Sequence, residues 1–131
     1  HAFVAGQVIT MNSESFEKGF QLRCELNHTS EPMPNPDDLD EMTQMIVGHV
    51  FGEIYSRKGL SMRDHMIVTI VTIIAIGGAE KPLRTHMARA IKNGVTRDEL
   101  EEICLHMTAY CGYPRAVIAK QVLDSIADDS N

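Results

Sequence analysis

The sequence has no long basic run, no paired-cysteine motif, no metalloprotease-type histidine pattern and no apolar stretch long enough to span a membrane. Each lack removes a class of function. Acidic residues outnumber basic ones by 18 to 12, a net charge of −6, which disfavours nucleic acid or an anionic membrane surface as the main partner. Three cysteines, Cys24, Cys104 and Cys111, form no C-x-x-C and no regular framework, so reduced thiols and a cytoplasmic setting are expected. The histidines show no H-E-x-x-H spacing, and no metal is expected. The longest apolar run, MIVTIVTIIAIGG from Met66, falls short of the ~20 residues that a membrane helix needs. No internal repeat or low-complexity segment is present.

What remains is ordinary for a soluble globular chain: 131 residues, 44% apolar and 23% charged, enough for one domain. Residues 1–12 lack the charged start and apolar core of a signal peptide and are expected to be an arm or a fusion remnant outside a domain spanning 13–131. Phe16, Phe20 and the segment from Leu22 to Leu26 predict an amphipathic helix from Ser13 to about Leu26. Asn27 to Asp38, with three prolines, reads as a loop. A second helix is expected near Pro36-Asp37-Asp38, with Met42, Met45, Ile46, His49, Val50 and Ile54 as its buried face. Ser61, with Asp64 three residues on, caps a third. Its β-branched run suggests a strand by propensity, but length, cap and the Gly77-Gly78 stop favour a helix. It is too apolar for one exposed face, and burial by another subunit is expected. The last helix is predicted from Pro114 to about Ala127.

The clearest punctuation lies between Gly77 and Pro114. One helix is expected from Glu80 to Asn93, with Pro82 in its first turn and Asn93-Gly94 as its stop. Leu83, Met87, Ala90 and Ile91 form its apolar stripe, and His86 lies on or beside it, partly desolvated. The next helix opens at the capping box Thr96-x-x-Glu99 and buries Leu100, Ile103, Cys104, Met107 and Cys111. His106 flanks that stripe, one turn after Glu102 and one before Tyr110, where the carboxylate would orient or charge the ring. The architecture read from these patterns is all-α, with about six helices. On pattern alone, two histidines beside a Tyr-Cys-Gly-Tyr-Pro turn mark a candidate active site and no more.

Three segments carry a resemblance. Gly52-Glu53-Ile54-Tyr55-Ser56-Arg57-Lys58-Gly59-Leu60-Ser61, then Arg84-Thr85-His86 with Ala90 and Asn93-Gly94-Val95-Thr96, then His106 followed by Tyr110-Cys111-Gly112-Tyr113-Pro114 resemble, in order, the carboxymuconolactone decarboxylase family. The likeness covers roughly residues 36–127. It implies an alkylhydroperoxidase D-like helical fold, a homo-oligomer (a trimer or a ring of six) and a small-molecule substrate. The family reaction releases CO2 from a lactone acid without a cofactor, because the lactone carbonyl can take the electrons through the ring double bond.

Such chemistry needs a dry carboxylate pocket, a partner for the dienolate oxygen and a proton for carbon. The resemblance points to His86 first, His106 second, and Glu80 as a possible acid. Arg84 and Arg57 are candidate carboxylate anchors, with Tyr110, Tyr113 and His49 as further substrate contacts. Two departures bear on the substrate: Pro82 stands where relatives carry an acid or amide, and Tyr55 where they carry Trp. An isomerase or cyclase acting on another small carbonyl compound, a thiol peroxidase and a non-catalytic oligomeric binding protein are the alternatives. The thiol route is disfavoured because Cys104 and Cys111 lie seven residues apart on one helix, too far to bridge.

Overall fold

A computed structural model describes residues 13–128, and among these every regular element is helical. Residues 1–12 lie outside the described residues, as does the end of the expected polar tail. The elements are α1 (Ser13–Asn27), α2 (Glu41–Met45, continuing as a π-helix over Ile46–Ile54), α3 (Met62–Ile76), α4 (Glu80–Lys92), α5 (Arg97–Cys111) and α6 (Tyr113–Asp124). They group into two compact units, one ending at Gly59 and one beginning at Leu60.

In the first unit α1 lies along α2 and buries Phe16, Phe20 and Cys24 against Val47. Two glycines allow the backbones to touch. A Cβ on Gly19 would sit 1.8 Å from the Val47 carbonyl oxygen, and one on Gly52 2.1 Å from that of Ser15. The start of α2 differs from the sequence expectation. Pro36–Asp38 forms only a 3-10 turn, Leu39 is extended, and the helix starts at Glu41, where the Asp40 side chain accepts from the Thr43 N–H at 2.9 Å.

The buried face of α2 is also not the expected one. Met42, Met45, Ile46 and Ile54 are exposed, at 72, 59, 42 and 40%, and His49 is exposed too, with only Val50 half-buried. Val47, Phe51 and Tyr55 are buried instead. For Ile46 and Ile54 the π-helix is the physical reason, whereas Met42 and Met45 lie before it on the α-helical start of α2 and nothing in the structure explains their exposure. The wider turn of the π-helix, as in Tyr55 N–H donating to the Val50 carbonyl at 2.8 Å, changes which residues line up down the helix from Ile46 onward.

In the second unit α3 packs on α4, and α5 on α6, with α4 also against α6 and α3 against α5. Helix starts follow their caps. Ser61 accepts from Asp64 N–H at 3.0 Å, and Thr96 with Glu99 forms the reciprocal box. Gly94 ends α4 at φ 101°, a conformation costly to other residues. The chain itself covers only part of α3: Met66, Ile70 and Ile74 are buried, whereas Val68 and Ile76 are 52 and 67% exposed. Helix α6 stops at Asp124, earlier than expected, and the carbonyls at its end are taken by arginines. Arg97 donates to Leu123 O at 3.0 Å and to Ile126 O, and Arg84 to Ser125 O at 3.2 Å. Arg63 of α3 forks onto Glu99 of α5, and this pair holds the Glu99 carboxyl down to about 2.

Candidate functional site

Helix α4 carries the histidine with the most altered environment. Leu83, Met87 and Ala90 are buried at spacings of three and four, and His86 on the flank of this stripe is half-buried. Burial, and then the positive charge of Arg89, lower the His86 pKa from the usual 6.5 to about 4, so the ring is neutral at pH 7. Arg89 is itself buried, 8% exposed, one turn further along α4. Its Nη1 lies 3.3 Å from His86 Nδ1. Sequence reasoning passed over Arg89. The available signal was its place three residues after His86, on the same side of α4.

The other candidate residues fall into separate settings. His106 is exposed and stacks on Tyr110, ring centroids 4.9 Å apart at 20°. The expected Glu102–His106 contact is absent from the ion pairs and hydrogen bonds among the described residues. No such contact joins His86 to His106 either. Glu80 opens α4 and, with Arg115, borders a cavity of about 20 Å³ at the α3–α4 turn, room for about one water. Gly77 lets Arg115 approach, since a Cβ there would lie 2.7 Å from Arg115 Nε. Arg84 is exposed and partly committed to Ser125 O.

Tyr113 is 70% exposed and, with Leu105 and Val117, lines an apolar groove of about 280 Å³ between α5 and α6. Cys104 lies at this groove, and burial pushes its thiol above the usual value, away from the reactive thiolate. Cys111 donates its thiol to Met107 O at 3.3 Å, and all three cysteines are free. Lys120, at the same groove, is held by Glu101 at 3.1 Å and Asp124 at 2.5 Å.

In the first unit His49 is a surface residue of the π-helix, its Nδ1 2.8 Å from Glu53 Oε1, while Ser15 Oγ donates to Glu53 Oε2 at 3.5 Å. Arg57 is exposed beside Lys18 and Glu53 at an open, mixed-charge cleft. Tyr55, one of the two departures from the resemblance, is buried edge-on against Phe51 at 5.2 Å. Among the described residues no three His, Cys, Asp or Glu side chains are grouped to hold a metal ion, and no helix is long and apolar enough to cross a membrane.

Comparison with known proteins agrees with these motifs. The model of the carboxymuconolactone decarboxylase family matches residues 40–125. The 4-carboxymuconolactone decarboxylase of Acinetobacter baylyi is 32% identical over 124 residues, 91% of this chain and 92% of that protein. A nitrosuccinic acid decarboxylase of Metarhizium robertsii is 33% identical over 86 residues, 66% of this chain but 59% of that relative's length. An uncharacterised 15.0 kDa protein of Paracoccus denitrificans is 30% identical over 77 residues, 58% of each chain. The chain belongs to the carboxymuconolactone decarboxylase family.

Proposed function

With that membership as the premise, we propose that this chain is a cofactor-independent decarboxylase of a small lactone carboxylic acid of the 4-carboxymuconolactone type. The observation that carries this reading is His86: half-buried, neutral at pH 7, and set in the R-x-H segment on which the resemblance rests. Two relatives named as decarboxylases, one for a lactone acid and one for a nitro-substituted acid, support the reaction class. Breaking the carbon–carboxylate bond leaves an electron pair that must settle on an electronegative oxygen, of a lactone carbonyl in one case and of a nitro group in the other. A protein serving either substrate needs the same two things: a polar hydrogen aimed at that oxygen, and a proton for a carbon of the resulting dienolate or nitronate.

His86 supplies the hydrogen-bonding partner for the dienolate, and the half-buried setting strengthens that bond by thinning the water around it. Arg84 retains N–H groups beyond the one used on Ser125 O and serves as a carboxylate anchor. His106 stacked on Tyr110 forms a second, more open candidate surface. Its exposure makes His106 the weaker choice for chemistry that needs exclusion of water.

The working form is a homo-oligomer. The exposed methionines and isoleucines of α2 and the uncovered face of α3 support this, because apolar surface of this kind is stabilised by a partner. The function is tested by incubating the purified protein with 4-carboxymuconolactone and, separately, with nitrosuccinic acid, and following CO2. Multiple turnovers on the lactone support the proposal. Turnover on the nitro acid alone changes the substrate class, and saturable binding without turnover of either acid overturns the enzyme reading.

A further inference from the structure

We propose that Arg89 is a positioning residue for His86: its buried guanidinium donates to Nδ1 and so fixes the ring's proton on Nε2, making His86 a neutral N–H donor toward the oxygen that collects charge. The proposal rests on the reading of His86 as the reacting histidine and says which form of the ring reacts.

The argument begins with what a guanidinium can do. It carries five N–H donors and no acceptor, so a ring nitrogen 3.3 Å from Arg89 Nη1 takes part in that bond only as the acceptor. Nδ1 therefore keeps its lone pair, and the single proton of the neutral ring sits on Nε2. Protonating the ring needs that same lone pair. The imidazolium would lose the bond and place a second positive charge against the first, in a setting where burial already disfavours charge. Among the described residues no hydrogen bond to Nε2 is present, and no side-chain nitrogen or oxygen is both fully buried and without a partner, so Nε2 is not sealed from solvent. A donor held in one tautomer and left without a protein partner is suited to a developing oxyanion.

The consequence for the reaction is specific. As the carbon–carboxylate bond breaks, its electron pair moves through the ring double bond onto the lactone oxygen, which accepts a hydrogen bond from Nε2–H. CO2 leaves, the carbon that carried it joins the new double bond, and the ring carbon next to the carbonyl takes a proton from solvent as the carbonyl re-forms, with one proton consumed for each CO2 released. The proton comes from solvent and not from His86, because a ring that gives up Nε2–H becomes an imidazolate, a base about as strong as hydroxide, and loses the hydrogen bond it donates to the oxygen. A neutral imidazole whose charge state is set by its surroundings is a known pattern for polarising a carbonyl.

The test reads the tautomer directly and needs no activity. In uniformly 15N-labelled protein at pH 7, a long-range 1H–15N spectrum of the histidine rings reports which nitrogen of each ring is protonated, with His86 assigned by its loss in His86→Ala. The expected pattern is a protonated Nε2 and a bare Nδ1. In Arg89→Met, checked for folding by circular dichroism and urea unfolding, this pattern gives way to a tautomer mixture. If Arg89→Met does not fold, the parent protein still decides, because its ring must stay neutral down to below pH 5. A protonated Nδ1, an imidazolium at pH 6 or above, or a folded Arg89→Met with the parental pattern overturns the proposal. A protein that shows the expected tautomer but no CO2 release keeps the positioning role of Arg89 and fails the proposed function alone. Where turnover is seen, Arg89→Met lowers kcat with little change in KM.

Discussion

At the residue scale, the lowered pKa of His86 has a consequence for stability. Its value falls from 6.5 in the unfolded chain to about 4 in the folded one, with burial as the larger cause and Arg89 the smaller. Between those values the unfolded chain binds a proton that the folded chain refuses, so stability rises with pH across this window. The contribution is complete above pH 6.5 and is lost as the pH falls toward 4. Urea unfolding at pH 7 and at pH 4.5 should show a larger loss for the parent than for His86→Asn, which cannot take up the proton. The thiols yield a second expectation. Cys104 is buried with its thiol pushed up, whereas Cys111 is only partly buried, so iodoacetamide under native conditions should modify Cys111 first, as mass spectrometry would show, without abolishing CO2 release. His86 was legible in the sequence because apolar neighbours at helical spacing predict its burial. Arg89 was not, because a charged residue in the last turn of a helix reads as a dipole partner facing water.

At the scale of elements, local punctuation was a good guide where a single residue decides the outcome. The capping box at Thr96 and the stop at Gly94 act through their own backbone, and both helix ends fall where those residues put them. The β-branched stretch of α3 is helical because its cap and length outweigh propensity, which is worth only tenths of a kcal/mol per residue. Helix α2 was misread for a different reason. Counting at 3.6 residues per turn put Ile46 and Ile54 inside, but the π-helix from Ile46 to Ile54 changes the period and turns Val47 and Phe51 inward. Close backbone contact at Gly19 and Gly52 accompanies this arrangement, a long-range fit that no window along α2 could reveal. Gly52→Ala should therefore cost at least about 1–3 kcal/mol in urea unfolding, since the atoms in its way belong to backbone and cannot step aside. A Gly59→Ala change, where a Cβ meets nothing within 4 Å, provides the control and should be near neutral.

At the scale of the whole molecule, the all-α class and the family were both legible, because the motifs that carry the resemblance stand in order along the chain. What a single chain does not spell out is the cover for its exposed apolar residues. If the proposed homo-oligomer uses α2, then Met45→Glu, at a side chain 59% exposed, should leave the unit folded by circular dichroism. Analytical ultracentrifugation of that variant should show smaller species than the parent. An unchanged sedimentation coefficient would remove α2 from the contact, and a monomeric parent would remove the oligomer.

The central claim is that a neutral, half-buried His86 assists the loss of CO2 from a small lactone acid. It is tested most directly by the steady-state rate of CO2 release from 4-carboxymuconolactone by the parent protein and by His86→Ala. Removing a preorganised donor from a developing oxyanion should lower kcat by about 10²–10³-fold and leave KM nearly unchanged. A His86→Ala protein that releases CO2 at the parental rate would contradict the claim and move the chemistry away from α4.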